Sequence, residues 1–125
     1  MATTSPIYDP GQAFSGKAHG GAVTGGRILK VAAAKTDGNA TPVAHCGASD
    51  HPIGASGADA AQDKLLPVYP PHVVMPLECA GDVTAGAAVE VAADGKVQAL
   101  NSGKKVGVAF TAGSTSSPAL VQLQL

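Results

Sequence analysis

Tryptophan is absent from this chain, and its only aromatic residues are Tyr8, Phe14, Tyr69 and Phe110. Carbohydrate and single-stranded nucleic acid are usually gripped by stacking on aromatic faces, so both ligand classes are poorly served. Charge is also scarce: Asp, Glu, Lys and Arg together make 14% of residues, and the formal net charge is −1. With Lys and Arg numbering 8, there is no dense basic surface for phosphate contacts. Cys46 and Cys79 are too few for a disulfide framework. No apolar run approaches the ~20 residues of a membrane-spanning helix. The N-terminal stretch has no basic segment leading into an apolar one, so no secretory leader is expected and the thiols are expected to be reduced.

Small residues are abundant instead. Ala occurs 24 times and Gly 16 times in 125 residues, and mean hydropathy is +0.16. Burial contributes ~25 cal/mol per Å² of apolar surface, so an Ala/Gly/Val core yields little per residue. One small domain fits this length. Such a chain is expected to borrow burial from copies of itself or from a larger partner.

Residues 1–22 read as an extended arm, rich in Pro and Gly and without a sustained period of 2 or 3.6. Ile7, Tyr8 and Phe14 are its candidate anchors. Short β-like runs follow, punctuated by Gly, Pro and Asp: 22–24, 27–31, 41–46, 65–69, 72–75, 87–92, 96–100, 105–110 and 119–125. Asp94-Gly95 is a strong hairpin signal. In the last run Val121, Leu123 and Leu125 share one face. Residues 56–64 carry at most one short helical turn.

An internal repeat is visible. Asp82–Ala92 matches Ala22–Ala32, both reading V-T-x-G and then an aliphatic run ending in V-A. Downstream, Pro52–Ala55 matches Lys105–Val108, and Leu66–Val68 matches Ala119–Val121. The expectation is an all-β fold, a small pseudo-symmetric barrel or sandwich, with similar halves at about 22–68 and 82–125 in one domain spanning 23–125. Gly54 and Gly107, inside apolar strands, suggest a bulge, a tight bend or the close approach of another backbone.

Chemistry is sought in four forms. His45, Cys46, His51, His72 and Cys79 lack the paired spacing of a zinc site. No Gly-framed nucleophile accompanies a Cys/His pair. The Gly-rich 21–26 run resembles a phosphate loop, but Arg27-Ile28 replaces Lys-Ser/Thr and a strand follows where a helix is needed. The acids sit mostly in turn-like contexts. The expectation is a non-enzyme without cofactor or metal.

The segments Pro10–Ala18, Val23–Arg27, Pro52–Ser56 and Asp59–Ala61 resemble the small capsid decoration (cement, or head-stabilising) proteins of tailed bacteriophages, those of actinobacterial phages most. The likeness continues through Asp82–Ala88, Ala93–Val97, Val106–Ala109 and Leu120–Leu123, covering about residues 6–125; order and spacing carry it. The stretch Pro67…Pro70-Pro71…Pro76 is richer in Pro than that pattern. The resemblance implies a protein made in the host bacterial cytoplasm that binds the outer surface of an icosahedral head. Its partner would be the major capsid protein, which it would brace at capsomer junctions, as a homo-oligomer with a trimer favoured. Neither nucleic acid nor membrane is an expected partner. Ile7, Tyr8 and Phe14 in the arm, with Pro67, Tyr69, Pro70, Pro71 and Val73, are the expected capsid or subunit contacts. The last five are chosen because Pro blocks further pairing at a sheet edge. The alternatives are a head-fibre module contacting the host surface, or a small barrel enzyme or carrier with Lys96 modified.

Overall fold

A computed structural model describes residues 12–35 and 40–125. The fold is all-β. Strands β1 (Phe14–Ala18), β2 (Ile28–Val31), β3 (Thr41–His45), β4 (Pro52–Ser56) and β5 (Leu65–Tyr69) close into a barrel in the order β1-β3-β2-β4-β5. Strands β6 (Val74–Leu77), β7 (Ala88–Val91), β8 (Val97–Ala99), β9 (Gly107–Ala109) and β10 (Ala119–Leu123) form a second sheet in the order β6-β10-β9-β7-β8. A parallel bridge between Cys79 and Val97 brings the chain after β6 back to β8. The cyclic order of the second unit is therefore that of the first. Each half has its own five strands, and the repeat begins earlier than the sequence match shows, at β1 and β6.

Hydrogen bonds confirm the correspondence residue by residue. Ile28 pairs with Ala55 as Ala88 pairs with Val108. The Cys46 amide donates to the Ile28 carbonyl at 2.9 Å, and the Leu100 amide donates to the Ala88 carbonyl at 2.9 Å. The Gly26 amide donates to Ser56 O at 2.8 Å, and the Gly86 amide to Ala109 O at 2.7 Å. Strand β7 and strand β2 even tether the same loop by different chemistry. In the first half Lys30 reaches Asp50 at 3.0 Å, and Asp50 accepts the Gly47 amide at 2.8 Å. In the second, buried Glu90 stands in place of Lys30 and accepts the Asn101 amide directly.

Several expectations change. Phe14–Ala18, expected within the arm, is a barrel strand, parallel to β3 and antiparallel to β5. Gly16 and Ala18 are buried in the barrel while Ser15 between Phe14 and Gly16 is exposed, an alternation carried by inward residues too small to stand out. Pro67 does not sit on a sheet edge, because β5 pairs with both β1 and β4. It is tolerated where the β4–β5 ladder ends after two pairs, with its carbonyl accepting the Gly57 amide at 2.9 Å. The 72–75 run is shifted to β6 because His72 adopts φ 77°, a turn. Residues 57–64 form a loop bridged to Val23 through Ala60. Among the described residues the one helical turn is the 3₁₀ turn Ala93–Gly95, where Asp94 (φ 58°) and Gly95 (φ 72°) join β7 to β8 as the Asp-Gly signal predicts.

Gly54 and Gly107 occupy equivalent places and have the same reason to be Gly. A Cβ on Gly107 would lie 2.5 Å from the Gln122 carbonyl and 2.7 Å from Val121; on Gly54 it would strike the Tyr69 carbonyl. Neighbouring backbone, which cannot swing aside, forbids a side chain at both. Gly107→Val should therefore lower stability by about 2 kcal/mol, the usual cost of overpacking, read as a lower urea midpoint with unchanged slope.

Candidate functional site

The first half has its own small core of Ala18, Val23, Leu29, Val43, Ala60, Leu66 and Val68. The next residues along, Ile28, Cys46 and Ala55, point outward from this barrel and are nevertheless fully buried. They belong to the core of the second half, packed with Leu77, Val89, Val97, Val121 and Leu123. The outer face of β2 and β4 thus completes the interior of the other unit.

A polar ring seals this joint. The Glu78 amide donates to Gly26 O at 2.9 Å, and the Gly95 amide to Cys46 O at 2.8 Å. Arg27 Nε lies 2.6 Å from Glu78 Oε2, and its guanidinium also donates to Asp94 O at 2.9 Å. A Cβ on Gly95 would sit 2.5 Å from the Ile28 carbonyl, so only glycine allows this approach at a positive φ. Fully buried Ser56 donates through Oγ to Thr24 O at 2.6 Å and accepts the Arg27 amide at 3.1 Å. His45 Nε2 accepts the Thr24 amide at 3.0 Å, which requires that nitrogen to be unprotonated. Burial, followed by the Arg27 charge, holds the His45 pKa below its ordinary 6.5.

These groups are occupied in structure. Burial, with Asp50 nearby, pushes the Cys46 thiol up to about 11, and burial raises Cys79 as well, so neither is primed as a thiolate. Both cysteines are free. Among the described residues no three His, Cys, Asp or Glu side chains gather to hold a metal ion. A groove of about 700 Å³ runs along the joint, lined by Gly26, Gly57, Tyr69, Val73, Val74 and Pro76 among others.

The structure divides the eight residues singled out in the sequence. Ile7 and Tyr8 lie outside the described residues. Phe14 and Pro67 meet at a smaller hollow of about 330 Å³ beside exposed Leu65. Tyr69 and Val73 line the groove at the joint and pack partly onto the main core. Pro70 and Pro71 belong to the connection between the halves, half-buried and outside both hollows. The reading along the chain missed Arg27, Glu78 and Asp94. One signal was available: Arg27 is the charged break in an apolar repeat whose counterpart is Ala87.

Two measurements test the joint. Arg27→Ala should cost about 2 kcal/mol, since it removes an ion pair and a carbonyl contact together. The Arg27/Glu78 double-mutant cycle should give a coupling of only about 1 kcal/mol, because the Glu78 side chain is 43% exposed. The depressed His45 pKa means the unfolded chain takes up that proton more readily. Its contribution is complete above pH 6.5 and is lost as pH falls from there through the folded-state pKa. Thermal unfolding followed against pH should show this decline, and His45→Gln should flatten it.

Comparison with solved structures finds a likeness that spans both halves. The fold is similar to "the crystal structure of head fiber gp8.5 N base in bacteriophage phi29", with a TM-score of 0.72 and 16% identity over 90% of this chain and 92% of that one. No protein-family model matches the sequence, and no curated protein matches it either. The paired five-stranded architecture described above is thus one that a phage head fibre base also adopts.

Proposed function

We propose that this chain is a structural protein of a tailed-phage head, a decoration protein that binds the outer surface of the icosahedral shell and braces capsomer junctions as a homo-oligomer, with a trimer favoured. Its partner is the major capsid protein. The observation that carries the reading is the fold likeness to a phage head fibre base across both halves, at a TM-score of 0.72. Three properties agree with it. The joint's polar groups are engaged in hydrogen bonds within the chain rather than arranged as an acid, base or nucleophile around a substrate. Near-neutral charge lets many copies crowd on one shell without strong repulsion. Two hollows lie beside Phe14 and Tyr69, each lined in part by apolar side chains that a partner can contact.

A second reading, the base of a projecting head fibre that reaches toward the host surface, is favoured by the identity of that same structural neighbour. Co-sedimentation with empty mature and immature shells separates the two. A decoration protein binds mature shells and raises their melting temperature, whereas a fibre base binds without raising it. Failure to sediment with either shell overturns both.

The arm supplies a sharper test. Because Phe14–Ala18 is a barrel strand, the truncation must stop before it. Deleting residues 2–11, which carry Ile7 and Tyr8, should lower shell occupancy at least about tenfold, as loss of apolar anchors does. Thermal unfolding of the isolated protein should stay unchanged. Equal occupancy would remove the arm from the contact.

A further inference from the structure

Strand β6 has a free edge that its counterpart in the first half lacks. Strand β1 is paired on both sides, with β5 and, through Gly16, Lys17 and Ala18, with β3. Strand β6 pairs with β10 alone, and β8 meets the chain only beyond it, at Cys79. The cause is Gly95, which stands where β3 has Thr41 and donates across the joint to Cys46 O instead of pairing with β6. The ladder shows which groups are left over. The Leu123 amide donates to Val73 O at 3.0 Å, so Val73, Met75 and Leu77 turn their backbone groups toward β10, and Val74 and Pro76 turn theirs away. Glu78, next in the outward series, is already engaged: its amide donates to Gly26 O at 2.9 Å and its carbonyl accepts the Val97 amide at 2.9 Å. Pro76 has no N–H to offer. Among the described residues, the N–H and C=O of Val74, a residue 41% exposed, remain open together.

This edge opens into the groove at the joint, which Gly25, Gly26 and Gly57 line from the first half. A Cβ on Gly57 would strike the Tyr69 ring, so bare backbone and an aromatic edge face β6 there. The lining includes Asp59 and Glu78 and no Lys, Arg or His. Glu78 is answered by Arg27. Asp59 accepts the Gly25 amide at 2.7 Å and meets no cation among the described residues.

We infer that the groove receives an extended segment of a partner protein, added as a short strand along Val74 of β6, apolar at alternate positions and carrying Lys or Arg beside Asp59. An outward N–H and C=O on one residue are satisfied together by one residue of an extended chain, and the side chains on either side of that residue then enter the cleft. Val73, Val74 and Tyr69 give those side chains apolar surface, and the unanswered Asp59 selects a cation. A volume of about 700 Å³ is that of a ligand cleft. Pro76 and the engaged Glu78 end the free edge on one side, which keeps it from stacking sheet on sheet. The side chains of this chain's own residues 1–11 bring Asp9 and no Lys or Arg, so they do not match the charge of the cleft. This inference goes beyond the proposed function and does not depend on shell binding.

The test is an NMR titration of the full chain, without shells, with a short blocked peptide of alternating valine and lysine. The peptide should bind with a Kd of about 1 mM or tighter and should move the Val74 amide signal. The same peptide N-methylated at alternate residues cannot pair with a strand edge and should bind at least about fivefold more weakly. A version with glutamate in place of lysine should bind about tenfold more weakly. Val74→Pro removes the edge donor without costing a bond to β10 and should weaken binding about fivefold, with thermal unfolding near that of the wild type. Asp59→Asn keeps the acceptor for the Gly25 amide, removes the charge and should weaken binding about threefold. Should Val74→Pro misfold, the N-methylated peptide against the wild type decides the same question. No binding of the valine–lysine peptide overturns the inference, and so does equal binding of the N-methylated or the glutamate peptide. Binding that appears only after residues 2–11 are deleted makes the chain's own arm the occupant and overturns it. A wild type that self-associates and is dispersed by the peptide makes a second copy the occupant and overturns it as well.

Discussion

The insertion of Ile28, Cys46 and Ala55 into the core of the second half is the contact on which this molecule depends. These side chains lie outside their own barrel and would face water if the halves separated. The second half would lose the cover of its interior at the same moment, exposing Leu77, Val89 and Val121. The first half keeps a small closed core of its own, and its outer face supplies side chains that the open second sheet needs to fill its interior. The polar ring around it, from Arg27 to Glu78 and from Gly95 to Cys46, then fixes the angle at which the halves meet.

Much of this architecture was readable along the chain, for definite reasons. Leu65–Tyr69 is a strand in both readings, and Asp94-Gly95 turns where its chemistry demands. The repeat matches at Gly54 and Gly107 survive because a backbone carbonyl occupies the same place beside each. Other features were hidden. Strand β1 alternates inward Phe14, Gly16 and Ala18 with outward Ser15 and Lys17, but two of its three inward residues are too small to mark a strand, and its stability comes from two partner strands distant in sequence. Strand β6 contains Pro76, which speaks against a strand when read locally. The joint itself links Arg27 to Glu78 across 51 positions, and no local pattern reports such a pairing.

The halves have diverged where their surroundings differ and have stayed alike where backbone geometry rules. Lys30 and Glu90 have opposite charge yet hold the same loop, because what the fold requires there is an acceptor for the Gly47 or Asn101 amide. Tyr69 and Gln122 occupy one register position, but Tyr69 lies in the groove and packs on the shared core. The two halves therefore differ most in which of their equivalent faces is covered.

Only four residues, 70–73, separate the end of β5 from the start of β6. The chain is further pinned there, since His72 and Val73 both hydrogen-bond to Leu123. So short a tether keeps the two faces at a local concentration in the millimolar range or above, whatever the protein concentration outside. A modest apolar contact is then saturated within the molecule.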